Sequence, residues 1–249
     1  MNETNPGPPP PSRIASEIAH GRYLAENDPE LQWGWGTPAG KVRARRRAQR
    51  IVSGAQIAPG SRVLELGCGS GLFTGMFAAS GAEILAVDLS PELIRLAQMR
   101  DIPNARFILK NFEDCALDGP FDAVLGSSVL HHLDLTRTWR KILQLLKPGG
   151  RMSFAEPNMA NPQVWMERHF RRFFPQVSPE ETAFYRWSLR RTLQRAGFCD
   201  VRVTPFDWLH PATPESWIPA VSAIGRFPEK AWPIREICGS LHIAARKLQ

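Results

Sequence analysis

From about residue 62 onward, short apolar runs alternate with stretches of helical periodicity, and this alternation constrains the fold more than any other feature. VLEL (63–66) and EILAVD (83–88) have the length of buried strands, whereas PELIRLAQM (91–99) repeats apolar residues at three-to-four spacing. Strands that alternate with helices are typical of a parallel sheet with crossover helices. We therefore predict an α/β fold. The other strand candidates are ARFIL (105–109), FDAVLG (121–126) and RMSFAE (151–156).

Individual residues indicate where the predicted helices and strands begin and end. Ser90 is a good N-cap and Pro91 suits the first turn of the helix that follows. LKPGG (146–150) predicts the end of a helix and a turn before the fifth strand. GSLHIAARK near the end alternates as a last strand, which we expect to be antiparallel and at or near a sheet edge.

Composition narrows the classes of protein that remain. No stretch approaches the roughly 18–20 apolar residues of a membrane span, and the N-terminus lacks the basic start and apolar core of a secretory signal. Four scattered cysteines without a CxxC pair fit the reducing cytoplasm and argue against structural zinc. The net charge of +7 leaves anionic partners open, but its Arg clusters at 43–50, 168–172 and 186–195 are interpreted as solvated helix faces.

The stretch Val63-Leu64-Glu65-Leu66-Gly67-Cys68-Gly69-Ser70-Gly71 carries the strongest functional signal. A strand runs directly into glycines and then a helix, which lets a ligand lie against the backbone. Asp88 ends the next strand, where a carboxylate accepts hydrogen bonds from both ribose hydroxyls. Leu72 replaces the third glycine of the dinucleotide fingerprint, and Glu65 suits a cationic ligand better than a pyrophosphate.

With these motifs, residues 60–155 resemble the class I methyltransferases that use S-adenosylmethionine (SAM). The resemblance implies a Rossmann-like, doubly wound, mostly parallel seven-stranded sheet with helices on both faces and an inserted lid. It implies SAM as the methyl donor and S-adenosylhomocysteine as the product. Asn111 stands where this family usually has Asp beside adenine, and its amide oxygen is expected to make that contact. The implied cofactor-binding residues are Glu65, Gly67, Cys68, Gly69, Gly71, Asp88, Leu89, Asn111, Phe112 and Ser127.

The chain divides into segments on the same basis. A disordered Pro-rich tail (1–12) and an N-terminal helical cap (13–60) precede a SAM-binding core (61–156). A lid insertion (157–182) follows, and then the C-terminal part of the core (183–249). A second lid segment is predicted at 205–237, because this stretch is too long and too apolar for an ordinary connection. Within it, Phe206, Trp208 and Trp217 are candidate substrate contacts or core residues.

His131 and His132 are the candidate catalytic bases. They follow the fourth strand, at the carboxyl edge where parallel sheets bind ligands, and methyl transfer to a hydroxyl needs a base. Because adjacent side chains point in different directions, only one is expected to face the cleft, and either could simply hydrogen-bond the loop. Glu156, at the end of the fifth strand, could orient a His or a polar acceptor, or serve only as a surface or N-cap carboxylate.

Other aromatic and imidazole side chains carry weaker signals. Trp33 and Trp35 could close over the sulfonium by cation–π contact, although ordinary packing of N-terminal helices is favoured. His169 and His210 lie in the lid segments and are interpreted as packing or surface residues.

The predicted function is SAM-dependent transfer of a methyl group to a small molecule, with O-methylation favoured over N- or C-methylation. The acceptor is expected to be apolar or anionic, and the oligomeric state stays open. A nucleic-acid methyltransferase is the alternative suggested by the charge, but Gly126-Ser127-Ser128-Val129 replaces the Asp/Asn-Pro-Pro-aromatic motif that grips base amines. A non-catalytic SAM-binding protein is the other alternative, against which the intact glycine loop and both histidines speak.

Overall fold

The computed structural model describes residues 13–173 and 182–249. In these ranges the strands are β1 (Arg62–Leu66), β2 (Glu83–Asp88), β3 (Ala105–Leu109), β4 (Phe121–Ser127), β5 (Leu146–Pro157), β6 (Cys199–Phe206) and β7 (Ser240–Arg246). They form one sheet in the order β3-β2-β1-β4-β5-β7-β6. β1 to β5 pair in parallel, and β7 runs antiparallel between β5 and β6. The predicted mostly parallel α/β sheet is confirmed.

Helices cover both faces of this sheet. The α-helices are α1 (Arg13–Glu26), α2 (Pro29–Gln32), α3 (Pro38–Ala55), α4 (Leu72–Ala78), α5 (Pro91–Gln98), α6 (Leu135–Leu145), α7 (Pro162–His169), α8 (Arg186–Ala196) and α9 (Ile218–Ile224). Apolar side chains of α3, α4 and α5 share one buried cluster with the sheet, and those of α6 and α8 share the other.

Alternation along the strands produces these two cores. Val63 packs in the cluster under α3 and α4, whereas Leu64 packs in the cluster under α6 and α8. Successive side chains of a strand point to opposite faces, so a continuous apolar run supplies both layers. The compact runs in the sequence reflect this two-sided burial.

The helix signals act as the sequence predicts. The Ser90 hydroxyl accepts a hydrogen bond from the Leu93 N–H at 3.2 Å, and Pro91 begins α5. Thr37 likewise caps α3, with its hydroxyl 2.9 Å from the Gly40 nitrogen. Both caps satisfy backbone N–H groups that have no partner within the helix.

Two elements differ from the prediction. β5 begins at Leu146, because Leu146 already pairs with Phe121 before an irregularity near Gly149 (φ +76°) shifts the register. LKPGG is therefore part of a strand rather than a separate turn. β6 escaped prediction because its buried residues include Pro205, which is atypical of a strand interior, beside Val201, Val203 and Phe206. Since β6 extends to Phe206, it also takes the first two residues of the segment predicted at 205–237.

The connections that follow β5 and β6 leave the sheet at the same edge. Pro157 and Phe206 both pair with Ser240, the first residue of β7. The segments after these strands therefore start at the carboxyl edge of β1–β5. The predicted tail (1–12) and part of the predicted lid (174–181) lie outside the described residues. None of the helices in the two described ranges combines the length and apolar character that crossing a bilayer requires.

Candidate active site

A cavity of about 540 Å³ opens at the carboxyl ends of β1, β2 and β4. One side, the glycine-loop half, is formed by the turn after β1 and the ends of β2 and β3. The other side, the histidine half, is formed by the segment after β4 together with α1 and α7. Of the predicted site residues, ten line the cavity: Gly67, Cys68, Gly69, Asp88, Leu89, Asn111, Phe112, Ser127, His131 and His132.

The turn after β1 requires glycine. Gly67 and Gly69 have φ angles of +63° and +52°, which side chains with a Cβ rarely adopt. A Cβ on Gly67 would also lie 2.4 Å from the Val129 side chain. Gly71 has a different place: it is the N-cap of α4, is packed against Ala97, and does not line the cavity.

Asp88 holds the loop and faces the cavity. Its Oδ2 accepts a hydrogen bond from the Gly69 N–H at 2.8 Å, and its Oδ1 accepts one from the Ser90 N–H at 2.9 Å. Burial raises the pKa of Asp88, and these backbone hydrogen bonds oppose that rise. Since each carboxylate oxygen accepts more than one hydrogen bond, Asp88 retains capacity for hydroxyl groups in the cavity.

Glu65 lies behind the loop rather than in the cavity wall. It is 1% exposed and does not line the cavity. Burial raises the pKa of Glu65 to about 8, and the charge of Asp88 acts in the same direction. At pH 7 the Glu65 carboxyl is therefore mostly protonated, which removes the negative charge that the sequence suggested it would offer to a cationic ligand.

The side chain of Asn111, just after β3, hydrogen-bonds within its own loop. The Asn111 Oδ1 accepts a hydrogen bond from the Glu113 N–H at 3.1 Å, and its Nδ2 donates to Asp114 at 2.6 Å. The Asn111 side chain thus shapes its own loop, as Asn often does in turns. Phe112 is 5% exposed and closes the cavity beside it.

His131 is fixed by a buried carboxylate. A short 3₁₀ helix (Leu130–His132) follows β4, and the His131 Nδ1 lies 2.6 Å from Glu156 Oε2. Glu156 Oε1 accepts hydrogen bonds from the Val129 and Leu130 N–H groups, both at 2.9 Å. Burial opposes ionisation of Glu156, but His131 and these hydrogen bonds lower its pKa. Glu156 itself is fully buried and lies outside the cavity lining, so it acts on the site through His131.

His132 belongs to a second pair that sequence analysis missed. Its Nδ1 lies 2.9 Å from Glu17 Oε1 on α1, and its ring centroid lies 4.1 Å from that of His131. Both residues line the cavity, but the His131 side chain is 1% exposed and the His132 side chain 23% exposed. Beside them Arg13 forms an ion pair with Glu113 and donates a hydrogen bond to the His132 carbonyl. No local motif marks Glu17 or Arg13, because only tertiary packing brings α1 to this edge.

Arg47 is the other residue that the sequence interpretation missed. It is 2% exposed rather than solvated, and the Arg43–Arg50 run is therefore not the exposed face that its charge suggested. Arg47 donates hydrogen bonds to Ser127 at 2.8 Å, to Ser128 at 2.9 Å and to Ser240 at 3.0 Å, and it also donates to the Ala155 carbonyl. Burial lowers its pKa to about 10, so Arg47 remains charged at pH 7.

A signal for Arg47 did exist in the sequence. Ala44, Ala48, Ile51 and Ala55 form the buried stripe of α3, and Arg47 falls within that stripe by helical spacing. Elsewhere the prediction of solvated basic faces agrees better with the structure. On α8, Arg190, Arg191 and Arg195 are exposed.

The tryptophans before α3 line the cavity in different ways. A Cβ on Gly69 would lie 2.9 Å from the Trp33 ring, so Trp33 closes directly over the loop. The Trp35 ring contacts Phe73 edge-on at 5.4 Å and has the Arg43 and Arg47 guanidiniums at 5.2 and 5.5 Å. Two protein cations therefore already lie close to the Trp35 ring.

The segments predicted as lids contribute unevenly. α7 supplies Gln163, Glu167 and Arg168 to the cavity, and the 205–237 segment supplies His210 and Pro211. His169 does not line it and stacks on Trp165 with 4.2 Å between ring centroids. None of the three aromatics named as candidate contacts lines this cavity. Phe206 is core, Trp208 lines a second cavity, and Trp217 is 64% exposed.

Comparisons with known proteins find similarity over the central part of this chain. A family model described as a methyltransferase domain matches residues 64–154. A ubiquinone biosynthesis O-methyltransferase of Xanthomonas oryzae pv. oryzae is 37% identical over 105 residues, which are 40% of this chain and 44% of the relative. The chain thus spans less than half the length of the curated relative that it matches.

Solved structures share the fold over nearly the whole chain. A phosphoethanolamine N-methyltransferase of Haemonchus contortus has a TM-score of 0.68 and 16% identity, covering 96% of this chain and 61% of its own. The N-methyltransferase NodS of Bradyrhizobium japonicum has a TM-score of 0.62 and 17% identity, covering 94% and 99%. At these identities the likeness shows the fold.

Proposed function

We propose that this chain, in which residues 64–154 match a methyltransferase domain, transfers the methyl group of SAM to a hydroxyl of a small molecule. One observation carries the proposal. The glycine loop, Asp88 and two carboxylate-paired histidines line a single cavity. Residues that fit a donor and residues that fit a hydroxyl acceptor thus share one enclosed space.

The glycine-loop half fits SAM in shape and chemistry. Gly67 and Gly69 leave room for a ligand against the backbone, and Asp88 offers acceptor capacity for the two ribose hydroxyls. Phe112 and Leu89 give apolar surface for a flat base. Bound there, SAM supplies a methyl group activated by the sulfonium. Solved relatives with this fold were crystallised with S-adenosylhomocysteine or SAM, which supports the same ligand here.

The histidine half supplies a base with a defined tautomer. Glu156 already accepts two backbone N–H groups on Oε1 and is ionised, so its Oε2 accepts the proton of His131 Nδ1. In the neutral imidazole this leaves Nε2 as the basic nitrogen. The acceptor hydroxyl then gives its proton to the histidine, its oxygen forms the bond to the methyl carbon, and the carbon–sulfur bond breaks. His132 with Glu17 is the alternative base in the same wall.

The charges near the histidines favour a weakly acidic hydroxyl over an amine. Glu17 is paired with His132, and Glu113 with Arg13, so these carboxylates are already engaged within the protein. A cationic amine would have to displace such partners, whereas a neutral phenol or quinol would not. The name of the curated relative, an O-methyltransferase of ubiquinone biosynthesis, supports the same preference.

The decisive experiment supplies SAM with matched acceptors and measures S-adenosylhomocysteine release. Substituted catechols and hydroquinones represent the hydroxyl class, and phosphoethanolamine and histamine represent amines. We expect turnover with the hydroxyl class only. Turnover confined to amines would replace O-methylation by N-methylation. Binding of S-adenosylhomocysteine without turnover of any acceptor class, a tRNA and DNA mixture included, would favour a non-catalytic SAM-binding protein.

We also propose that the protein works in the cytoplasm. Cys68, Cys115, Cys199 and Cys238 are all free thiols, and unpaired cysteines are typical of reducing compartments. Cell fractionation with an antibody to the chain tests this, and recovery in an oxidising compartment would contradict it.

A further inference from the structure

A second cavity lies on the other side of α3, away from the histidines. It has a volume of about 580 Å³ and lies between α3 and the segment that follows β6. Its size is within the range of small-molecule sites in proteins. Arg43 lines this cavity while its guanidinium lies 5.2 Å from the ring of Trp35, which lines the first cavity. Arg43 of α3 therefore lies between the second cavity and Trp35 of the first.

The lining combines an apolar floor with an excess of positive charge. Val42, Trp208, Leu209 and Val221 form apolar surface. The lining contains six basic and two acidic residues, so its net charge is +4. The basic residues are Arg43, Arg45, Arg46, Arg50, Arg226 and Lys230, and the acidic ones are Asp207 and Glu229.

The acids are already neutralised inside the wall. Asp207 Oδ2 accepts a hydrogen bond from Arg43 at 2.9 Å, and Glu229 forms ion pairs with Arg46 and Arg50. The Glu229 side chain is 6% exposed and accepts a further hydrogen bond from the Asp207 N–H at 2.9 Å. These carboxylates therefore fix the arginines of α3 and leave little negative charge facing the cavity.

Three cations at the rim are uncommitted. Arg45, Arg226 and Lys230 are exposed, and none forms an ion pair with an acidic side chain of residues 13–173 or 182–249. Long basic side chains around an apolar concavity attract an anion and cover its apolar part with their stems. The Trp208 ring below offers a surface for a hydrocarbon or flat aromatic body.

We propose that this second cavity binds an amphiphilic anion: a small molecule with an apolar body against Trp208 and a phosphate, sulfate or carboxylate head between Arg45, Arg226 and Lys230. The site is separate from the cleft in which we propose methyl transfer. Free metabolites and single lipid molecules share this chemistry, and chain length in the probe series separates them.

The test is calorimetric titration of the whole protein, saturated with S-adenosylhomocysteine so that the glycine-loop half of the first cavity is occupied. The probes are octyl phosphate, inorganic phosphate, octanol and octyltrimethylammonium, with butyl and decyl phosphate to report the length of the apolar body. Octyl phosphate should bind. Inorganic phosphate, octanol and octyltrimethylammonium should each bind at least about tenfold more weakly. Affinity that stops rising at butyl indicates a compact metabolite, and affinity that rises through decyl indicates a lipid.

A charge variant localises the site. A triple variant should weaken octyl phosphate binding by about tenfold, because it removes three partly exposed ion contacts: Arg45→Gln, Arg226→Gln and Lys230→Gln. The matched control is Arg190→Gln, Arg191→Gln and Arg195→Gln on α8, which removes the same charge far along the chain and should change affinity less than about twofold. Equal losses in both variants, an unchanged affinity in the first, or no binding of octyl phosphate to the unaltered protein would overturn the proposal. Thermal melts confirm that both variants are folded.

Discussion

The glycine-loop half and the histidine half of the first cavity differ in how far apart in the chain their parts lie. Gly67, Gly69 and Asp88 belong to one β–α–β unit and are joined by backbone hydrogen bonds. The histidine half draws Glu17 from the first helix and Glu156 from the fifth strand, and side chains join them. A local unit supplies shape, whereas distant side chains supply charge and proton-transfer groups. The comparison predicts that mutations separate donor binding from catalysis.

His131→Ala should separate catalysis from donor binding most strongly. Loss of a general base typically lowers the rate by about 10²–10⁴, and the glycine-loop half does not depend on this imidazole. We therefore expect kcat to fall in that range while calorimetry shows unchanged SAM affinity. His169→Ala is the control, because His169 lies on α7 outside the cavity and should keep full activity. If the single variants His131→Ala and His132→Ala both retain nearly full turnover, the base is elsewhere.

Arg47→Met should test how the histidine half is held together. The variant keeps the volume but removes every hydrogen bond to Ser127, Ser128, Ser240 and the Ala155 carbonyl. Breaking a buried charged network costs about 3 kcal/mol, so urea unfolding should show a loss near that size. Arg47→Lys keeps the charge and should lose less. Equal stability of all three proteins would show that the network is not needed for folding.

Asp88→Ala should weaken ligand binding in the glycine-loop half. Charge-assisted hydrogen bonds to ribose hydroxyls are worth roughly 1.5–3 kcal/mol, so S-adenosylhomocysteine affinity should fall about ten- to a hundredfold. Asp88→Asn, which keeps one carbonyl oxygen for the Gly69 or Ser90 N–H, distinguishes ribose binding from support of the loop. Unchanged affinity in the alanine variant, or tight binding of NAD, would remove the SAM assignment.

Glu65→Gln should act on a different property, the pH dependence of stability. The pKa of Glu65 is about 8 in the folded protein, above the usual 4.5, so the folded state holds a proton that the unfolded chain releases between these values. Stability is thus full below about pH 4.5 and falls as the pH rises toward 8, by at most ~1.4 kcal/mol per pH unit.

The glutamine variant should flatten that fall, and urea titrations at pH 5.5 and 7.5 measure it. Asp88, whose pKa burial also raises, contributes a slope of the same sign in both proteins. Glu83→Gln at the exposed start of β2 is the control. A glutamine variant whose stability depends on pH across this window just as the wild type does would contradict the assignment of a neutral Glu65.

The same comparison explains what the sequence could reveal. β1 to β5, the N-cap Ser90 and the glycine loop depend on neighbours in the chain, so spacing and composition predicted them. Glu17 and Arg47 were missed, because each acquires its role only when α1 and α3 pack against the carboxyl edge. Charge misled the interpretation of Arg47, since a guanidinium with enough hydrogen-bond partners is stable in the core.

β6 and the 205–237 segment show a second limit. The buried residues of β6 include Pro205, which is atypical of a strand interior, and its partner β7 is distant in sequence. The Trp-rich segment after β6 contributes only His210 and Pro211 to the first cavity, and much of its remaining surface forms the second. Length and apolar content predicted a cover over a site, but not which of the two cavities the segment lines.

The position of β7 bears on how the protein is made on the ribosome. Ser240, which accepts a hydrogen bond from Arg47, belongs to β7, and β7 fills the place between β5 and β6. During synthesis the glycine loop and Asp88 emerge early and can fold as a local unit, whereas the exposed edge of β5 must wait for residues made much later. A nascent chain can therefore form the glycine-loop half of the cavity before β7 covers the edge of β5 that carries Glu156.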